Sequence, residues 1–279
     1  MKELNKFIYI FEGLDIAHGI TKKSSEVNEK GKNETRSFTI HKPPIEKLWL
    51  DHLEGKDPGL GIIPINRDNK LKWGCIDIDI YPVVHQGFVK KLQEKNIKAI
   101  VFRSKSGGAH IFVFTKTFVP AIVMRAKLKI IASEIGYARA EIYPKQDTIN
   151  VARGDTGSFL NLPYHNCKDS VRYAFNSKGI KMSLEEFFEY HNEMAMTEEE
   201  LTNFAIVNEK ENLDYFKGMP PCLVTLLSDG VPNGQRNNCM YNVGVYLKKR
   251  YPENNEWKGR MHIYDEKFMK PPLGSNEVD

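Results

Sequence analysis

The sequence has little cysteine and spreads it thinly. Cys75, Cys167, Cys222 and Cys239 form no Cys-x-x-Cys pair and no disulfide-like cadence over 279 residues, so neither a zinc ribbon nor a disulfide framework is encoded, and the four are expected to be plain thiols. Any zinc-bearing element would lie beyond residue 279. No apolar run approaches the roughly 18 residues of a membrane span, and the start at Met1-Lys2-Glu3-Leu4-Asn5-Lys6 lacks the apolar core of a signal peptide. A cytoplasmic chain with no membrane partner is therefore expected. The Gly-x-x-x-x-Gly-Lys-Ser/Thr loop of P-loop motors is missing, and there is no internal repeat and no low-complexity tract.

What remains is ordinary globular composition, 41% hydrophobic and 27% charged, enough to bury a core in one large or two small domains. The net charge of +4 permits a polyanionic partner without requiring one. Its distribution says more. Arg103, Lys105, Lys145 and Arg153 gather in one region and Arg236 with Lys248-Lys249-Arg250 in another, while Glu198-Glu199-Glu200 is acidic.

The most informative stretch is Lys72-Trp73-Gly74-Cys75-Ile76-Asp77-Ile78-Asp79-Ile80. Read as a strand, it puts Asp77 and Asp79 on one face and the three isoleucines on the other. Two carboxylates about 6.5 to 7 Å apart along a core strand are costly without positive charge between them. A pair of divalent cations, held about 3.5 to 4 Å apart in two-metal sites, meets that need. The bland alternative is a solvated edge strand, and the flanking isoleucines count against it.

Further strands are expected at Phe7–Phe11, at Ser37–His41 and at Gly59–Ile65, the last forming a hairpin with the Asp-x-Asp strand. Lys22 to Arg36 reads as a polar surface excursion or template-facing arm. Helices are expected from Pro43-Pro44 to Leu53, burying Leu48, Leu50 and Leu53, then over Val84–Asn96, over Pro120–Gly136 with Ile122 in its apolar stripe, and over Ser183–His191. Between Ile97–Phe102 and Ile111–Phe114 lies Arg103-Ser104-Lys105-Ser106-Gly107-Gly108-Ala109-His110, a hairpin turn whose Ser-Gly-Gly loop exposes backbone N–H groups to phosphate oxygens. A strand at Ala138–Tyr143 carries Glu141, the natural third metal ligand, with Asp147 and Asp155 as competing candidates and Lys145 within reach of a phosphate. Asn161 points away from Leu160 and Leu162 if its segment is extended. The charged run 196–212 reads as a linker between a domain over 1–195 and a small helical one over 213–279, whose tail at Lys270-Pro271-Pro272-Leu273 looks like a stop within a longer protein.

The apolar Asp77-x-Asp79 strand, the Ser-Gly-Gly-Ala-His110 loop and strand, and the Glu141 strand, in that order, resemble the three motifs of the archaeo-eukaryotic primase superfamily, closest to primase domains of phage and mobile-element replication proteins. The resemblance covers about residues 5 to 190, and Asp229 to Tyr251 is similar to the small helical domain that often follows such primases. It implies an α/β (α+β) catalytic core of two modules, one with a sheet like an RNA-recognition motif, and a cleft between them. It also implies template-directed nucleotidyl transfer with Mg²⁺ or Mn²⁺, from (d)NTPs on single-stranded DNA, making or extending primers during replication alongside a helicase domain or protein. Asp77 and Asp79 match the metal pair and His110 the triphosphate-contacting histidine, while Glu141 stands where the family usually has Asp. Ser106, Lys145, Lys105 and Arg103 are the remaining triphosphate donors by motif position, the last two with template as an alternative, and Asn161 is a sugar or base contact. Arg153 and Arg236 are assigned to nucleic acid or the initiating nucleotide. Two rivals stand beside this: a metal-dependent nuclease, and a non-catalytic single-stranded nucleic-acid binding module.

Overall fold

The computed structural model describes residues 2–27, 33–203, 215, 216, 218–228, 230–252 and 255–273. Two four-stranded antiparallel sheets form its frame. The first has the order β2-β1-β3-β8, from β1 (His18–Val27), β2 (Asn33–Ile40), β3 (Leu60–Ile62) and β8 (Leu160–Asn161). The second has the order β5-β6-β4-β7, from β4 (Lys70–Ile78), β5 (Ile100–Arg103), β6 (Ala109–Pro120) and β7 (Glu141–Tyr143). Mixed strands and helices are the architecture the motifs implied.

Each face of the second sheet has its own core, because side chains alternate along β4. Ile76 and Ile78 pack with Ile111, Val113, Leu128 and Ile131 beneath α3 (His85–Glu94) and α4 (Ala121–Glu134). Trp73 and Cys75 face the other way, into a core shared with the first sheet through Leu60, Ile62 and Leu160. Asp77 continues that second face, at the mouth of the layer between the sheets. The expected alternation holds through Ile78, but the strand stops there, and Ile80 is exposed.

Several sequence expectations are corrected. Phe7 to Phe11 is not a strand but part of helix α1 (Lys2–Phe11). The aromatic and β-branched run suggested a strand, yet Leu4, Phe7, Ile10 and Phe11 fall on one helical face, and packing overrides local preference. Phe11 sits within 4.9 to 5.9 Å, ring centre to ring centre, of Phe7, Trp73, Phe112, Phe114 and Phe187. β3 makes no hairpin with β4. The turn at Asn66–Asn69 is present, with Lys70 N–H donating to Asn66 Oδ1 at 2.9 Å, but it carries the chain from one sheet into the other. The polar stretch 22–36 is largely β1 and β2 rather than an excursion, and its middle, 28–32, lies outside the described residues. Helix α2 (Glu46–Leu53) buries Trp49, His52 and Leu53 and exposes Leu50, and Ile122 of α4 is likewise exposed.

His52 is a buried polar group that the sequence reading passed over. Its Nδ1 accepts the Leu60 N–H at 2.9 Å, so Nε2 carries the proton and donates to the Pro163 carbonyl at 2.8 Å. This neutral ring ties α2 to both β3 and the segment after β8. Burial pushes its pKa from 6.5 down to about 3, and burial likewise pushes His191 down to about 4. Between those values and 6.5 the unfolded chain binds protons that the folded chain refuses, so stability falls as pH falls through that window. Each ring contributes up to about 1.4 kcal/mol per pH unit. Urea midpoints are expected to drop between pH 7 and pH 5, with a shallower drop in His52→Gln.

The expected linker at 196–212 starts later than its charge run suggested. Met196 exchanges backbone hydrogen bonds with Phe114 and Lys116, and α6 (Glu198–Asn203) drives Leu201 into the core, so 196–203 packs with the two-sheet module. Residues 204–212 lie outside the described residues. A third core follows, built by α7 (Pro221–Ser228), α8 (Arg236–Arg250) and α9 (Glu256–Phe268), with a two-residue parallel pairing of β9 (Val231–Pro232) and β10 (Met269–Lys270). Asp229, the start of the expected loop, lies outside the described residues. No helix among the described residues is long and apolar enough to cross a membrane.

α9 docks on the two-sheet module by a close backbone approach. A Cβ on Gly259 would sit 1.9 Å from the Gly136 carbonyl oxygen, and a Cβ on Gly136 would sit 2.5 Å from Glu256 Cγ. Buried Glu256 pairs there with Lys91 of α3 and, at 2.8 Å, with Arg260.

Candidate active site

β4 is an inner strand, so each of its side chains has a neighbour on both sides. Asp77 pairs in register with His110 on β6 and with Glu141 on β7. Directly opposed residues of antiparallel strands share a face. The three groups the motifs singled out therefore line up across three adjacent strands. Sequence spacing alone could not show that, because the strands come from segments tens of residues apart.

Asp77 is half-buried, with its Oδ1 sealed from solvent, and that oxygen receives no hydrogen bond. His110 Nε2 lies 3.1 Å from that oxygen, at ion-pair distance, without making a hydrogen bond to it. A buried carboxylate oxygen without a donor is unfavourable by itself and is a fitting ligand for a cation. Behind it, burial first and then the Asp77 charge push the Cys75 thiol up, which leaves a neutral wall beneath the acid.

Asp79 lies one residue beyond the end of β4. Its Oδ1 accepts the Tyr81 hydroxyl at 3.0 Å, and the Tyr81 oxygen is 2.8 Å from Ser106 Oγ in the β5–β6 turn. That turn is closed by Ser104 N–H to Gly108 O at 2.9 Å and Gly107 N–H to Ser104 O at 3.1 Å. The Gly107 N–H is thus used within the turn, not offered to phosphate as the Ser-Gly-Gly reading expected. Gly108 is needed there, since a Cβ would lie 2.6 Å from Ile78 O and 2.9 Å from Asp79 Oδ1. Gly107, at φ +96°, takes the left-handed conformation that glycine tolerates.

Glu141 is exposed and pairs with Lys145 at 2.9 Å, while the Tyr143 hydroxyl donates to it at 3.2 Å. Burial, then the charges of Glu141 and Asp77, push the Tyr143 phenol well up. Of the competing acids, Asp147 pairs with Arg125 and Asp155 accepts the Gly157 N–H at 3.0 Å, so neither shares the Asp77 register.

The other candidates scatter. Arg103 lies opposite Ala109, off the aspartate face, and donates to the Val171 carbonyl at 3.0 Å. Lys105 lies near His165, whose pKa burial lowers with help from the Arg172 and Lys105 charges. Asn161 is in the first sheet, pointing away from buried Leu160 and Leu162 as expected, and accepts the Thr21 hydroxyl at 3.1 Å. Arg153 is exposed on a single 3-10 turn, Val151–Arg153. Arg236 is a structural clamp in the third core, donating to Pro271 O at 2.7 Å and Asn233 Oδ1 at 2.8 Å. These bonds hold Pro271 and Asn233 in place, while Nε of the same guanidinium is buried without a partner.

A cavity of about 360 Å³ opens beside the acids, lined by Asp77, Asp79 and Glu141 from the strands, by Arg139 and Tyr137, and by Lys258, Gly259 and His262 from α9. The sequence reading missed Lys258, His262 and Tyr81, for no motif marks them. A larger cavity, about 790 Å³, lies between α7 and α8 and is lined by Leu223, Leu226, Val245 and Tyr246, with no carboxylate. Among the described residues no three carboxylate, imidazole or thiol groups converge tightly enough to hold one metal ion by themselves. The donor set is thus an acidic pair open to solvent. That suits Mg²⁺, which is usually bound by one or two carboxylates plus waters and substrate phosphates.

Residues 17–201 match the family model for the archaeo-eukaryotic primase domain of TOTE conflict systems. Among solved structures, the catalytic domain of primase RepB′ in complex with initiator DNA is similar at 12% identity and TM-score 0.32, over 69% of this chain and 93% of that one. A second structure, primase RepB′, is similar at 13% identity and TM-score 0.31, over 99% of this chain and 95% of that one. No curated protein matches the chain.

Proposed function

The chain belongs to the archaeo-eukaryotic primase family, as the primase domain of TOTE conflict systems, and from that premise we propose that it makes or extends primers on single-stranded DNA with a two-metal site at Asp77 and Asp79. Primase-type nucleotidyl transfer is the activity of the family. The observation that carries the finer reading is the buried, donor-less Oδ1 of Asp77, set between His110 and Glu141 on neighbouring strands.

In the reaction a 3′-hydroxyl attacks the α-phosphorus of a nucleoside triphosphate. The new O–P bond forms as the bond to pyrophosphate breaks, and the hydroxyl proton leaves to solvent. Bound Mg²⁺ or Mn²⁺ supplies charge neutralisation at the phosphates and lowers the pKa of the attacking hydroxyl. The chain's own residues hold and orient. Asp77 and Asp79 would hold the ions, with Glu141 as the third acid once Lys145 is drawn to phosphate. His110 and Ser106 donate to the triphosphate from the β6 side and Lys145 from the β7 side. Lys258 of α9 adds positive charge on the far wall, which makes the helical unit over 213–279 part of the substrate site. The setting proposed is replication of a phage or mobile element in the cytoplasm, with a helicase acting on the same template.

The test uses labelled nucleotides and a single-stranded template, with and without primer, in Mg²⁺ or Mn²⁺. Products made without primer by the wild type and lost in Asp77→Ala/Asp79→Ala establish a primase. Extension only from a supplied primer reduces the reading to a polymerase. Shortening of the template with no synthesis turns it to a nuclease.

A further inference from the structure

Asp79 is the less secured of the two aspartates. Asp77 is fixed by the β4 ladder on both sides, whereas Asp79 follows the last residue of that strand. Its carboxylate is held instead by a side chain two residues on, Tyr81, whose hydroxyl is 3.0 Å from Asp79 Oδ1 and 2.8 Å from Ser106 Oγ. A phenol has one hydrogen to give. An ionised carboxylate can only accept, so that hydrogen goes to Asp79, and with no nucleotide bound the Ser106 hydroxyl donates its one hydrogen to the phenol oxygen. Ser106 Oγ is in turn 3.4 Å from Ser104 Oγ, which is buried at the base of the turn. The result is a relay from the β5–β6 turn, through Ser106 and Tyr81, to the acid.

Two further facts show that the relay is built rather than incidental. Gly108 leaves room for Asp79 Oδ1 at a spot where any Cβ would collide with it. The Tyr81 ring is 49% exposed, so burying the ring is not what keeps it there. We infer that Tyr81 is a positioning residue that holds Asp79 in its ion-binding orientation and ties that orientation to Ser106 in the nucleotide-binding turn. The inference rests on the two-metal reading above. Without the hydroxyl, Asp79 must be ordered by the cation itself, and affinity falls accordingly.

The experiment is direct Mn²⁺ binding to the full chain, followed by the loss of the free-ion paramagnetic signal, with no nucleotide and no turnover. Tyr81→Phe keeps the ring and removes only the hydroxyl, and is expected to weaken Mn²⁺ binding by about five- to tenfold, the scale of one ordinary net hydrogen bond at an exposed site. Ser106→Ala is expected to weaken it less, and Tyr81→Phe/Ser106→Ala no more than Tyr81→Phe alone, because both changes break one chain. Melting temperatures of the variants should match the wild type. Wild-type affinity in Tyr81→Phe, with binding lost in Asp77→Asn, overturns the role of Tyr81 and leaves the metal site standing. Undiminished binding in Asp77→Asn overturns the metal site and this inference with it.

Discussion

Asp77→Asn is expected to abolish nucleotide addition and, in metal-free buffer, to melt a few degrees above the wild type. The two effects share one cause. Asp77 places a carboxylate oxygen inside the protein with no N–H or O–H directed at it. An unsatisfied buried polar atom costs about 1–3 kcal/mol, more when charged, and a neutral amide is cheaper to bury than a carboxylate. For a chain of this size that corresponds to roughly 2 to 5 °C in melting temperature. The same oxygen is the one a cation would take up, and its loss should cost about 10³-fold or more in rate, given the several kcal/mol of charge stabilisation that a metal ion supplies. Mn²⁺ should raise the melting temperature of the wild type by mass action and leave the variant where it was. Wild-type melting behaviour in the variant, with and without Mn²⁺, would return Asp77 to the role of an ordinary polar residue.

Within one strand or one turn, the sequence was a good guide to this site. Period-2 alternation around Asp77 placed the acid and the isoleucines on opposite faces, and a glycine-bearing turn between two apolar runs marked the β5–β6 hairpin that delivers His110. Both are local patterns, fixed by the geometry of two or three turns of backbone. Partnership was harder to read. Nothing in Leu60-Gly61-Ile62 tells whether it pairs with β4 or with β1 and β8, because both partners accept the same alternation. Phe7 to Phe11 has strand-like residues and a helical stripe at once, and only the aromatic cluster around Phe11 decides between them. The candidate cations show the same limit. Arg103 and Arg236 carry the right charge in suggestive places, but each guanidinium satisfies backbone carbonyls of its own chain. A basic residue's job depends on what stands opposite it, which a motif does not record. Lys258 shows the reverse, since it reaches the acidic cavity from a helix more than a hundred residues further along the chain.

That long-range contact leads to the second large effect, expected for Gly259→Ala. On most helix surfaces glycine to alanine is stabilising by about 0.4–1 kcal/mol. Here the new methyl would lie 1.9 Å from the Gly136 oxygen and 2.7 Å from its carbonyl carbon, both backbone atoms that no rotamer change can move. Gly136 itself holds φ +89° at the end of α4 and lies against the Glu256 side chain. Neither side can yield, so α9 must lift. Lifting it separates Glu256 from Lys91 and lets water reach a carboxylate that then keeps only Arg260 of its own helix, so the ion pair across the interface is lost. Lifting also removes Lys258 and His262 from the wall of the acidic cavity. Gly259→Ala is thus expected to split thermal unfolding into two transitions and to lower primer synthesis at least tenfold. Glu256→Gln keeps the shape and removes the charge, and should do the same to a smaller degree. A single transition at the wild-type temperature with full activity in both variants would show that the helical unit merely rests beside the catalytic module. Two transitions with full activity would show that it docks there without serving the site.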